Sequence, residues 1–344
     1  MAQATSYNVG VPNSVQGARI DLSNQLRVVA PEETPLYSLL PQSQAPKATR
    51  TEWLVDGLDE PRFNAPLVDG ADLTFNTDFT NEIAGRVRLN NSIQAFQRQG
   101  AVSPIVEAIE MAGPQTSLLA ASKAKILTQL KVDIEAGIAS SQAPADGTAS
   151  VGAKMGGLFH ITDPTATTGF FDTTAKQAFR SVAGSRHSTG SMGEAQFRSV
   201  MQSIFEAGGK SQTYRCFAGP SLMNALTDFS RAINVVGGTN SKFDANIEGR
   251  KITLSVVELV TDYGICQVIP TLQNNRTSGQ APTALSKKSG LLIPADDSVS
   301  LKMLQPITVQ DLPDVGGGGE RFLTRAILTV CALNPRALGS ITNV

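Results

Sequence analysis

Between Ala48 and Phe96 the chain holds two runs of alternating side chains and no helical pattern to cover them. In "RTEWLVD", residues 50–56, Thr51, Trp53 and Val55 fall on one side. Arg50, Glu52 and Asp56 fall on the other around Leu54, the period of two that marks a half-buried strand. In "EIAGRVRLNNSIQ", residues 82–94, Ile83, Val87, Leu89 and Ile93 share one face and Arg86, Arg88, Asn90 and Ser92 the other. A polar, acidic stretch punctuated by Pro66 and Gly70 separates the runs, so residues 48 to about 95 predict one long two-stranded arm with a loose tip. A lone hairpin is marginal in water and an uncovered strand edge invites association. At roughly 25 cal/mol per Å² of apolar area, sheltering Trp53, Val55, Ile83, Val87 and Leu89 is worth on the order of several kcal/mol. The expected shelter is a partner surface, with Arg50, Glu52, Arg86 and Arg88 setting the register of docking. On this reading Trp53→Ala leaves the subunit folded and impairs assembly.

The arm is flanked by segments of different character. The first twenty residues are polar and lack periodicity, and "IDLSNQLRVVAPEETPLYSLLP" is cut by Pro31 and Pro35 into short pieces. The longest helix prediction is 114–140, "PQTSLLAASKAKILTQLKVDIEAGIAS". Its stripe is Leu119, Ile126, Leu127, Leu130, Ile134 and Ile138, while Lys123, Lys125, Gln129, Lys131 and Glu135 project elsewhere. Residues 141–192 read as short strands and loops. A second helix is expected from Gly193, with Phe197, Val200, Met201, Ile204 and Phe205 as its apolar face and Gly208-Gly209 as its stop. "YRCFAG", "KITLSVVELVT", "YGICQVIPTL", "GLLIP", "VSLKMLQPITVQDL" and "RFLTRAILTVCAL" read as strands, "PSLMNALTDFS" as a helix opened by Pro220, and "PDVGGGGE" as a turn. The class is α+β.

Composition excludes several functions. In 344 residues, 29 Lys and Arg nearly balance 30 Asp and Glu, so no overall field draws the chain to nucleic acid or to an anionic bilayer. The N-terminus lacks a basic region followed by an apolar run, and no stretch approaches bilayer-spanning length; no membrane partner is expected, and the chain is expected to fold in the cytosol where it is made. Cys216, Cys266 and Cys331 are widely spaced among apolar residues and read as buried thiols. Gly209-Lys210-Ser211 copies the end of a phosphate-binding loop, but Ile204 stands where that motif needs glycine, and the trio closes a helix where it should open one. His187 lies among serines without a nucleophile elbow, and His160 is the only other histidine. Asp133 and Glu135, two apart on a helix, point to different faces and read as solvated. No catalytic, cofactor or metal site is expected. Lys123, Lys125 and Lys131 could meet phosphates, with a wet helix face as the plainer alternative.

The order of polar arm, long hairpin, one-sided helix, α/β segment and returning strands resembles the major capsid proteins of tailed bacteriophages, the Hong Kong 97 type of fold. "PEETPLYSLLP", "RTEWLVDGL", "LLAASKAKILTQLKVDIEAGI", "FRSVMQSIFEAGG", "ELVTDYGICQVI", "VSLKMLQPITVQDL" and "LTRAILTVCALNPRALGSITN" carry the likeness, which spans nearly the whole chain. It implies an N-arm over 1–46, an extended loop over 47–99 lying on an adjacent subunit, and a peripheral domain over 100–192 with spine helix 114–140. An apical domain over 193–298 and peripheral return strands over 299–344 complete it. The implied function is a virion shell, made in the bacterial host cytoplasm, in which pentamers and hexamers form an icosahedral head around double-stranded DNA held by non-specific contact. Portal, scaffolding and decoration proteins are the implied further partners, and an encapsulin-like nanocompartment is the alternative of the same fold. Residues 48–99 contain no lysine, so the covalent weld that some relatives make there is not expected.

Overall fold

The computed structural model describes residues 34–58, 69–70, 85–108, 117–208, 212–232, 258–276, 283–313 and 319–342. Two sheets, each with its own apolar core, organise the chain. The first is four-stranded, in the order β1-β10-β11-β4, with β1 Gln42–Ser43, β4 Gln94–Val102, β10 Val299–Leu312 and β11 Glu320–Ala332. Strands β10 and β11 are long antiparallel partners, and β4 runs antiparallel to β11 from Val102↔Glu320 to Gln94↔Leu328. β11 alternates strictly at its outer end and is buried on both sides from Leu328 onward, where it enters the core. β1 meets β10 only at Leu301 and Lys302, in parallel.

Helix α1, Pro35–Leu39, precedes β1, and the long helix α2, Leu118–Ile138, lies against β4 and β11. Ser117 caps α2, its Oγ accepting from the Ala120 N–H at 3.3 Å, so the helix starts one turn after Pro114, which is outside the described residues. Leu130, Ile134 and Ile138 of the expected stripe are completely buried. Leu119, Ile126 and Leu127 nearer the start are half-buried. The stripe sinks toward the core as the helix proceeds.

The second sheet has six strands in the order β5-β12-β9-β6-β8-β7. These are β5 Arg186–His187, β6 Gln212–Ala218, β7 Glu258–Thr261, β8 Gly264–Pro270, β9 Gly290–Pro294 and β12 Gly339–Ile341. Helices α3, Glu194–Gly208, and α4, Pro220–Ala232, accompany it, and Phe197, Val200, Met201 and Ile204 of α3 join Tyr214, Cys216, Cys266 and Leu292 in its core. All three cysteines are buried free thiols. The last strand, β12, lies in this sheet beside β9 and not with β10 and β11, so the chain end ties the two lobes together. Within 141–192 the expected short strands are mostly turns of helix, at Leu158–Ile161, Gly169–Phe171 and Thr174–Gln177. The tip of the arm apart from Asp69 and Gly70, Ile83, the 251–257 part of "KITLSVVELVT", Gly209 to Ser211 and residues 314–318 of the glycine-rich turn lie outside the described residues.

Candidate inter-subunit surface

Strands β2, Arg50–Val55, and β3, Val87–Ser92, form the expected ribbon, antiparallel with Trp53 opposite Leu89 and Val55 opposite Val87. The alternation is as read in β2: Thr51, Trp53 and Val55 are buried, and Arg50, Glu52 and Leu54 are exposed. The shelter is different. Trp53 is 8% exposed, Val55 9% and Leu89 0% within a single chain, and all three belong to the core that also holds Leu130, Ile134, Met155 and Leu158. The Trp53 ring stands 6.4 Å from Phe170, which in turn meets Phe171 at 6.2 Å and His160 at 5.9 Å. The expectation that Trp53, Val55 and Leu89 contact a sister subunit is therefore corrected. The islands "LFHI" and "GFF", more than sixty residues later in the chain, are the cover. Val87, at the mouth of this face, is half-buried.

The second strand departs from its predicted pattern. Asn90, Asn91 and Ser92 are all buried, because this end of the ribbon is enclosed on both sides, and the side chains of Asn91 and Ser92 find their partners inside. The Asn91 amide donates to Val330 O at 2.8 Å and to Gly156 O at 3.3 Å, while its Oδ1 accepts from Gly156 N at 2.8 Å. Ser92 Oγ donates to Asp146 at 2.6 Å, and its carbonyl accepts from Thr329 Oγ1 at 3.0 Å. Gln94 Oε1 accepts from Met155 N at 2.9 Å and from Gln142 Nε2 at 3.0 Å. The ribbon's base is thus stapled to the 140–157 segment and to β11.

What the ribbon offers outward is its other face. Leu54 is 59% exposed and Leu58, just beyond β2, is fully so. Around them lie Arg86 paired with Asp56 at 2.9 Å, Arg88 with Glu52 at 3.9 Å, and Arg50 with Asp146 at 3.4 Å. These pairs are open to water and add little to the subunit's own stability. They leave a mosaic of both charge signs around an apolar centre, the composition of a docking rim.

The helix lysines divide. Lys123 Nζ is 2.7 Å from Asp311 and 5.7 Å above the Phe322 ring, so it ties α2 to β10. Lys125 and Lys131 are exposed. Asp133 accepts two bonds from Arg98, at 2.5 and 2.8 Å, and so is not simply solvated. Glu135, also read as solvated, is 1% exposed and is the clearest departure on the helix. His160 is buried, with Nε2 3.2 Å from Thr168 O; the carbonyl can only accept, so that nitrogen carries the proton. Burial lowers its pKa, against the Thr168 carbonyl and Asp163.

Comparison with known proteins gives this surface its context. No curated protein matches the chain in sequence. Among solved structures, the cyanophage A-1(L) capsid subunit is similar at TM-score 0.65 and 13% identity, covering 95% of this chain and 97% of that one. The capsid of cyanophage P-SCSP1u is similar at TM-score 0.57 and 11% identity, covering 100% and 99%. The SrpI encapsulin of Synechococcus elongatus PCC 7942 is similar at TM-score 0.51 and 10% identity, covering 95% and 92%. At these identities the likeness establishes the fold, α+β of the Hong Kong 97 type. The family model described as SU10 major capsid protein matches residues 2–344. The chain therefore belongs to the SU10 major capsid protein family, non-enzymatic structural proteins of the virion that form the head shell of tailed phages.

Proposed function

We propose that copies of this chain assemble into pentamers and hexamers of a closed icosahedral head that encloses double-stranded DNA. The match of the family over residues 2–344 carries this reading. Within it, residues 1–46 act as an N-arm, 47–99 as the extended loop and 193–298 as the apical domain, while 100–192 and 299–344 form the peripheral domain, except that Arg186–His187 and Gly339–Ile341 cross into the sheet of the apical segment. The outer face of the ribbon is the contact with a neighbouring subunit: Leu54 and Leu58 supply the apolar centre, and Arg50, Glu52, Arg86 and Arg88 the register. Support comes from their exposure and mixed charge. Lys125 and Lys131 meet packaged DNA through phosphates, without sequence preference. Portal, scaffolding and decoration proteins complete the particle.

The test is expression of the full chain followed by negative-stain microscopy and light scattering. Closed particles are expected, and a monodisperse monomer with or without scaffolding protein would overturn the proposal. The fold is shared with an encapsulin, so the contents of particles isolated from infected cells, nucleic acid or protein cargo, decide what the shell carries.

A further inference from the structure

The four-stranded sheet has two faces, and α2 covers one of them. Even-numbered residues of β4 and β11 look toward the helix: Gly100 lies against Phe322 and Ile126, and Lys123 stands over the Phe322 ring. The odd-numbered residues of β11 look the other way, so Arg321, Leu323 and Arg325 form a row on the far face. Each of the three is half-buried between its lateral neighbours. Gln97 and Gln99 of β4 and Gln310 of β10, which flank the row in register, are exposed, and among the described residues no element lies over this stretch.

The row is cationic and lacks a counter-charge. Neither arginine makes an ion pair among the described residues, and Arg325 Nε is buried with no acceptor. The only carboxylates in these three strands, Asp311 and Glu320, stand at α2-facing positions, and Asp311 is held by Lys123 at 2.7 Å. A buried guanidinium donor without an acceptor is a cost that a docked carboxylate removes, because the planar fork suits that group. The chain itself carries the complement. Residues 59–84, the arm beyond the ribbon, hold six carboxylates against one cation, Arg62, whereas residues 1–33 and 233–257 are close to neutral. Asp78 and Glu82, four apart, would in an extended chain lie about 13 Å from each other on one side, the spacing of Arg321 and Arg325 on β11.

The chain's own arm leaves from the wrong end to reach this face. Strand β3 leads into β4 through Ile93, and the ribbon's far end, at Gly57, packs beside Phe179. Arg321 stands opposite Ala101, about 23 Å of strand beyond Gln94 in the other direction. We propose that the Arg321–Arg325 face is the landing site for the arm of a second copy, with Asp78 and Glu82 pairing with the two arginines across Leu323. This rests on the shell reading above and names the surface that receives the arm.

Charge reversal in the full chain tests it. Arg321→Glu/Arg325→Glu and Asp78→Arg/Glu82→Arg are each expected to lower particle yield by sedimentation at least about tenfold, and all four changes in one chain to restore it. Mixing the two purified variants should give oligomers that contain both, seen by native mass spectrometry, which neither forms alone. A mixture no better than its parts puts the contact within one chain and overturns the proposal, as does a fourfold variant that recovers nothing. Should the arginine variant lose its fold by circular dichroism, Arg321→Gln/Arg325→Gln takes its place, and an unchanged yield there sinks the landing site. Wild-type particles with insensitive variants overturn this inference alone; a wild-type chain that forms no particles overturns the shell reading and this inference with it.

Discussion

Trp53 fills its own subunit's core beside Phe170, so truncating it removes a large buried side chain and leaves a void that neighbours cannot collapse into. Trp53→Ala is expected to cost about 3–5 kcal/mol of subunit stability, read as a shifted urea midpoint of the monomer. Assembly should fail only because the subunit unfolds. His160 makes a second residue-scale test. Its folded pKa lies below the ordinary 6.5, so its contribution is present above pH 6.5 and is lost as pH falls through the lower folded value. His160→Gln should flatten the loss of melting temperature on that acid side. The sequence displayed Trp53's strand alternation plainly, yet not its cover, since a period of two says which side is buried and nothing about what buries it. Glu135 was illegible for a related reason: helical spacing places it beside the stripe, but only the arrival of α1, with its unsatisfied N–H groups at Leu36 and Tyr37, makes burial of a carboxyl tolerable.

At the scale of elements, strands β8 to β11 were legible because β-branched runs bounded by turn residues admit few other structures. The 141–192 segment was not, since four-residue helical turns such as Leu158–Ile161 are too short to show a period. Their placement depends on contacts instead. Gly157 at the start of that turn packs against the Ser140 carbonyl, where any Cβ would collide with backbone. Gly157→Ala is expected to lose about 1–3 kcal/mol by calorimetry, because the 140–157 segment would have to lift from the ribbon it staples. Asn91 holds the other side of that staple. Asn91→Leu leaves the Gly156 N–H and the Val330 carbonyl without partners and should cost on the order of 2–3 kcal/mol in the same measurement.

At the scale of the molecule, the subunit must be stable alone and adhesive only where it should be. Leu54→Asp separates these properties: monomer stability should change by less than about 0.5 kcal/mol, while particle yield by sedimentation falls sharply. The first argument for a shell, an arm too apolar to stand uncovered, does not survive the structure; the family match and the small exposed centre at Leu54 and Leu58 replace it. A last consequence follows from β10. Its pairing with β11 slips between Met303 and Gln305 and again between Gln305 and Thr308, and Pro306 in that gap has no N–H to give the ladder. The strand is therefore two stiff pieces joined by an elbow, and Lys123 links the outer piece to the start of α2 through Asp311. Identical molecules bent by different amounts at this one elbow could tile a curved surface while leaving both hydrophobic interiors undisturbed.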